Sequence, residues 1–214
     1  MILGHVEKVF VGKPKKMQWQ SALTAISKQE VQDKQLVDTF GLVNDDQADK
    51  ENHGGVDMRL HAYPVERYAF WNNKFMSKLG AGAFGENFAT SGLLEEQIYV
   101  GDIYRIGTIT VQLSQGRVPC QKLCTHTDIK ELAYWFQKTG YTGWYYRILE
   151  TGHVQAGDSI ELIDRSQTLL SLLELNKIFF TRKSNPDMAR KLLEIEALSA
   201  EWRDKVTYAT QGCR

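Results

Sequence analysis

The chain has 214 residues, 43% of them hydrophobic and 24% charged, which is enough to bury a real core as one domain or one and a half. Lysine plus arginine equals aspartate plus glutamate at 26 each, so the net charge of zero gives no general pull toward nucleic acid or an acidic membrane. Cys120, Cys124 and Cys213 are too few, and odd in number, for a disulfide scaffold, and they exclude a zinc site of four cysteines.

Cys120 and Cys124 have three residues between them rather than the two of a redox CxxC pair. No charged opening leads into an apolar run and no stretch is long enough to span a bilayer, so a reducing cytoplasm is the expected home, with neither membrane nor nucleic acid as partner.

Ile2 to Val11 alternates weakly toward Gly12-Lys13-Pro14 and predicts a strand and turn. Ser21 to Gln35 predicts a hairpin. Gly41 to Asp49 is polar and acidic; it lacks the spacing of a calcium loop and predicts a solvated segment. Pro64 to Leu79 predicts a helix, with Trp71 and Phe75 packing it onto a sheet and Gly80 at its end. Strands are expected over Gln97–Val100, Ile103–Ile106 and Ile109–Leu113. Asp128 with Glu131 has the form of a helix cap, predicting a helix to Lys138 that stops before Gly140. Tyr141–Leu149 and Ser159–Ile163 predict the last strands.

Sixteen of the 17 glycines fall at or before Gly157, and none lies between Asp158 and Gln211. The expected architecture is therefore mainly β over 1–165, a closed or partly closed barrel with a few peripheral helices. A small all-α domain of three helices follows over 166–214. Its first helix carries Leu169 to Phe179, its second opens at Asn185-Pro186, and its third opens near Ser199. Too small to be secure alone, this tail is expected to dock on the barrel or on another subunit, leaving a homo-oligomer open.

The most informative segment is Ser114-Gln115-Gly116-Arg117-Val118-Pro119-Cys120-Gln121-Lys122. It places a thiol just past a strand end, three residues after an arginine whose charge favours thiolate. Two further clusters combine glycines with polar side chains: Asn52-His53-Gly54-Gly55-Val56-Asp57-Met58-Arg59-Leu60-His61 and Gly82-Ala83-Phe84-Gly85-Glu86-Asn87. If the three meet, Cys120 supplies a sulfur, while Arg59, Arg117, Lys122 and backbone amides supply donors for anionic groups. Several readings stay open on the residues alone. Cys120 is a small buried hydrophobe, a zinc ligand with His53 and His61, a nucleophile with His53, His61 or His126 as base, or the one protein ligand of a metal whose other ligands come from a cofactor. Arg59 and Arg117 have ordinary candidate partners in Asp57, Glu86 and Asp102.

Taken in order, His53-Gly54-Gly55-Val56-Asp57, Tyr63-Pro64, Phe84-Gly85-Glu86-Asn87, Val100-Gly101-Asp102 and Gln115-Gly116-Arg117-Val118-Pro119-Cys120 resemble the MOSC domain family, and within it the small bacterial YiiM-like proteins. The resemblance implies a MOSC β-barrel followed by a three-helix domain. It also implies a molybdenum–pterin cofactor, reduction of N-hydroxylated compounds such as hydroxylamino nucleobase analogues, and electrons from a separate reductase. By the same resemblance Cys120 is the catalytic cysteine and molybdenum ligand, and His53, Gly54, Gly55, Arg59, Glu86, Asn87, Arg117 and Lys122 form the cofactor pocket. The family also brings an expectation of pyridoxal phosphate binding. A non-catalytic carrier of sulfur or of the molybdenum cofactor is the alternative. Gln115-Gly116 stands where relatives often have a serine beside the glutamine, so a possible hydroxyl donor is missing. Substrate recognition is expected to rest on the barrel, or on the barrel and the tail together.

Overall fold

The computed structural model describes residues 1–17, 20–48 and 54–211, with the backbone alone at 20–22. In chain order the strands are β1 (Ile2–Val11), β2 (Lys15–Met17), β3 (Gln20–Thr24), β4 (Gln29–Val31), β5 (Gln35–Asp38), β6 (Gly41–Leu42), β7 (Leu60–Pro64), β8 (Phe88–Ser91), β9 (Ile103–Ile106), β10 (Ile109–Gly116), β11 (Trp144–Glu150), β12 (Gly152–Val154) and β13 (Ser159–Asp164). The helices are α1 (Glu66–Phe75), α2 (Gln121–Thr127), α3 (Leu132–Thr139), α4 (Leu172–Phe180), α5 (Pro186–Arg190) and α6 (Ala200–Gln211).

Seven strands close a barrel in the order β13-β9-β10-β11-β7-β8-β1, sealed by antiparallel pairing of β1 with β13. Closure leaves no exposed edge among these seven except where β4 adds to the far end of β1. The alternation read in β10 is the burial pattern observed: Ile109, Val111 and Leu113 are fully buried. One pair is parallel, β7 with β8. Parallel neighbours need a crossover, and α1 provides it. Trp71 on α1 packs with Tyr63, Phe84 and Phe136 in an aromatic cluster outside the barrel, so the sheet-packing role expected of Trp71 holds.

Several local expectations are corrected. Ser21–Gln35 is not a hairpin: β3 pairs with β2, and β4 pairs with β1. The intervening turn is bent inward instead, with Ile26 N–H donating to Thr24 Oγ1. Gln97–Val100 forms turns rather than a strand. Ile98 and Val100 are both fully buried, and the Asp102 carboxylate accepts from Tyr99 N–H at 3.0 Å. Helix α1 ends early, at Phe75, where Met76 takes a left-handed conformation (φ 51°). Asp128 closes a helix instead of opening one. It sits left-handed (φ 56°) at the C-terminus of α2, a conformation aspartate tolerates, and α3 begins four residues later. The acidic segment is not simply solvated, because Asp45 is drawn into the site described below.

The tail matches its expected order, with shifted ends. Helix α4 starts at Leu172 through a full capping box of Ser171 and Glu174, and Asn185 caps α5 ahead of Pro186. The helices share one continuous core with the barrel: Leu175, Phe179, Trp202 and Val206 belong to the same buried cluster as Leu60, Val111 and Trp144. Phe179 and Trp202 stack within it at 3.6 Å.

Gly116 explains how close that docking is. A Cβ there would lie 2.0 Å from Asn176 Oδ1 on α4. Asn176 is fully buried and pinned, donating to the Gly140 carbonyl at 2.8 Å and to Thr142 Oγ1 at 3.1 Å. The missing hydroxyl noted in the sequence is therefore a packing requirement of this chain. Gly116→Ala is expected to lower unfolding free energy by about 1–3 kcal/mol, the usual cost of overpacking. Urea melts would show it, and the loss should shrink on an Asn176→Ala background, where the clash is gone.

Candidate active site at the barrel rim

Strand β10 runs to Gly116, and the chain then turns through Arg117 to Cys120, which occupies the N-cap position of α2 without a side-chain cap bond. Cys120 is partly exposed, whereas Cys124 one turn on is buried and accepts from Ala133 N–H through Sγ at 3.4 Å. The buried-hydrophobe reading therefore fits Cys124, whereas Cys120 packs only partly against the same cluster and keeps an exposed share.

Cys120 lines a cleft of about 110 Å³ together with Arg117, Lys122, Asn87, Lys28, His61 and Tyr145. Arg117 is only 7% exposed. Its Nη1 donates to the Phe84 carbonyl, and its backbone N–H donates to Gly143 O at 3.2 Å. The three acids proposed as its ordinary partners are engaged elsewhere: Asp57 with Arg147, Asp102 with Arg165, and Glu86 with Tyr68 and two amides. Among the described residues no carboxylate forms an ion pair with Arg117, which leaves a buried cation facing the cleft. Burying a charge without a partner costs several kcal/mol unless something compensates it.

The second cation, Lys28, is paired. Its Nζ bonds Asp45 Oδ1, which also accepts from Gly12 N–H at 2.7 Å, while Asp45 Oδ2 accepts from Asn87 Nδ2 at 2.8 Å. Burial lowers the Lys28 pKa, and Asp45 works against that. Asn87 is spent on positioning: its Oδ1 accepts from His61 N–H at 3.0 Å, tying β7 to the segment before β8. Gly85 passes so near the inward turn that a Cβ would meet Ile26 at 2.9 Å, and its φ of +73° suits glycine alone.

His61 lies under this charge, its ring 5.1 Å from that of Tyr145 and its Nε2 without a hydrogen-bond partner. Burial, reinforced by Arg117 and Lys28, holds its pKa well below the ordinary value of 6.5. The folded state thus keeps His61 neutral where the unfolded chain protonates it, so this residue's contribution to stability falls as pH drops below 6.5. Between pH 7 and pH 5 the unfolded value of 6.5 limits the expected loss from this group to at most about 2 kcal/mol. His61→Gln should flatten the acid side of the stability profile by up to that amount in urea titrations; parallel profiles for the two proteins would contradict it.

The remaining candidates lie apart. Glu86 is fully buried and does not line the cleft, though Arg117 and Lys28 feel its charge: its carboxyl accepts from the Tyr68 hydroxyl, Gly82 N–H (2.6 Å) and Phe84 N–H (3.1 Å), shaping the loop that carries the Phe84 carbonyl. Gly54, Gly55 and Arg59 line a neighbouring cleft of about 340 Å³, which shares Asp45, Asp46 and Gln47 as a common wall. There the Arg59 guanidinium stands 5.3 Å over the Phe40 ring. His53 lies outside the described residues. Sequence reasoning missed Lys28 and Asp45. Among the described residues no three His, Cys, Asp or Glu side chains gather as a metal site, so a metal at Cys120 would take its other ligands from a cofactor.

A closed barrel with this rim and a docked helical tail defines a class, and comparison agrees. The profile described as "MOSC domain" matches residues 49–161, and the chain belongs to that family. The profile described as "YiiM-like, 3-alpha helix domain" matches residues 170–207, which places the chain in the YiiM-like branch. Protein YiiM of Escherichia coli (strain K12) is 38% identical over 202 residues, covering 93% of this chain and 86% of that protein. The crystal structure of YiiM from Geobacillus stearothermophilus superposes with a TM-score of 0.82 at 31% identity, covering 97% of this chain and 99% of the other. A protein named Reductase from Gibberella moniliformis (strain M3125 / FGSC 7600) is 30% identical over 184 residues, which are 84% of this chain and 33% of that protein. Some members of the family are associated with oxidoreductase activity linked to the molybdenum cofactor. Pyridoxal phosphate binding finds no support in the matched families or the relatives' names, and the buried lysine of the cleft is tied to Asp45; that expectation is withdrawn. Among the described residues no helix is long and apolar enough to cross a membrane.

Proposed function

We propose that the chain reduces N-hydroxylated small molecules with a molybdenum–pterin cofactor, receiving electrons from a separate reductase in the cytoplasm. The observation that carries this reading is the buried Arg117, which forms no ion pair among the described residues, beside a partly exposed Cys120. A cation in that setting suits a permanently anionic ligand, and a single thiolate suits a soft metal that brings its remaining donors with it.

The residues fit such a group. Cys120 Sγ would be the protein's own ligand to the metal, with Arg117 and Lys122 holding anionic oxygens. Lys28, already paired with Asp45, fixes the far wall, and neutral His61 adds no charge to compete for them. When bound, the cofactor supplies a centre that exchanges two electrons; the protein contributes binding, orientation and electrostatics. Each turnover delivers two electrons and two protons to the N–OH group. The N–O bond breaks, oxygen leaves as water, and nitrogen keeps its valence as N–H. The Gibberella moniliformis relative's name, Reductase, agrees in direction.

The test is expression in cells that make the pterin cofactor and in cells that do not. Bound molybdenum and reduction of an N-hydroxylated purine are then measured with an added reductant. Metal and turnover from the competent cells alone are expected. A protein free of molybdenum from competent cells would reject the proposal, and a single-sulfur adduct on Cys120 without turnover would mark a sulfur carrier instead.

A further inference from the structure

Cys120 and Tyr145 also line a second cavity, about 110 Å³, on the side facing the tail. Gln115 of β10 and Glu201 and Lys205 of α6 supply its polar wall, and Val118 and Pro119 part of its apolar one. We propose that this cavity is the organic-substrate subsite, taking a small planar heterocycle that carries N–H donors. The proposal rests on the reading that the reacting centre lies at Cys120.

Three observations carry it. First, Gln115 is 1% exposed, and its Nε2 donates to Glu201 Oε2 at 3.1 Å. A carboxylate only accepts, so this bond fixes which end of the amide faces Glu201 and leaves Oε1 as the other end. That Oε1 is buried with no partner. An unmet buried acceptor costs about 1–3 kcal/mol, which a ligand N–H would recover.

Second, charge sorts the two cavities. The first is lined by three cations, Lys28, Arg117 and Lys122, against two carboxylates, Asp45 and Asp46, so its wall is positive in sum. In the second, Lys205 is already bonded to Glu201 Oε1, so the wall is neutral in sum and its carboxylate discourages a phosphate or carboxylate ligand. An anionic cofactor and a neutral, donor-rich ring would therefore settle on opposite sides of one sulfur.

Third, the size suits a single ring. A cavity of about 150 Å³ is known to hold benzene, and this one, at about 110 Å³, is smaller but open at one side. The apolar flank meets the faces of a flat ligand, and Gln115 and Glu201 meet its edge.

The experiment is a titration of the full-length chain with 2-aminopyrimidine, followed by ¹H–¹⁵N correlation spectra that include the Gln115 side-chain amide. The comparison ligand is 2-(dimethylamino)pyrimidine, which offers no N–H. Shifts are expected at the Gln115 amide and at the backbone amides of Val118 and Lys205, with affinity at least fivefold weaker for the dimethyl compound. Gln115→Met should weaken 2-aminopyrimidine at least fivefold. Glu201→Gln, on a helix position whose side chain is 25% exposed, provides the same reading should the first variant fold poorly. Equal affinities for the two probes, shifts centred on Asn87 and Lys28 instead, or no shifts at all would overturn the subsite. Molybdenum content of the same samples judges the cofactor reading separately, and it should be unchanged in Glu201→Gln.

Discussion

Cys120→Ser is expected to lose bound molybdenum almost completely, from near one atom per chain to under a tenth, and to lower reduction of an N-hydroxylated substrate by at least about 100-fold. Serine keeps the size of the side chain but not a soft thiolate, and a metal of this type discriminates strongly between the two. The fold should not suffer. Cys120 makes no side-chain cap bond at the start of α2, and serine is a better N-cap than cysteine, so stability should hold or rise slightly. Metal analysis beside a thermal melt separates the outcomes. A variant that retains its molybdenum would remove the sulfur from the centre of the mechanism.

The second large effect concerns Arg117, and here ligand binding and stability should move in opposite directions. Arg117→Met keeps most of the volume, deletes a buried cation with no carboxylate partner among the described residues, and gives up the bond to the Phe84 carbonyl. A hydrogen bond to a charged group is worth about 1.5–3 kcal/mol, so cofactor retention should fall about 10- to 150-fold. The ligand-free protein should be unchanged or more stable, because removing a buried charge that has no ion-pair partner among the described residues, and that repels Lys28, offsets the lost bond and the lost attraction to Glu86. Denaturant melts of cofactor-free protein, paired with metal content after dialysis, test both halves. A variant that is severely destabilised without ligand would show that Arg117 serves the fold rather than the site.

Much of the barrel was legible because its signal is local. Alternation over β10 and β13, punctuated by glycine, is a period-2 pattern that barrel closure preserves, and β11 was legible from its aromatic, strand-like composition. The glycine-free tail was legible for the same reason. Errors arose where tertiary contacts overruled local preference. Ile98 and Val100 are buried in a turn, so their hydrophobicity resembled a strand. Asp128 and Glu131 satisfied a capping pattern, yet the chain had already become helical at Gln121.

The site divides similarly. Cys120, Arg117 and Lys122 are neighbours in sequence and remain neighbours in space. Lys28 and Asp45 reach the cleft from segments that carry no motif, so only the folded chain brings them in. Gly54, Gly55 and Arg59 look equally suited by residue type but border the adjoining cleft. Glu86 is a related case, since its polar surroundings are consumed by its own loop. Residue type gave the chemistry available, whereas membership of one cavity depended on where the barrel rim bends.

The seal between β1 and β13 also bears on how the chain is made. Strand β1 ends at Val11 and β13 starts at Ser159, so the opening segment leaves the ribosome long before its partner exists. At about 5–20 residues per second this wait is on the order of 7–30 s. During translation β4 and then β8 can cover parts of β1, but the edge that β13 will close stays open to the end of the barrel's synthesis. Pairings this distant in sequence form slowly, and yield in a host cell should therefore respond to slower synthesis at lower temperature and to holding chaperones more than to changes at the rim.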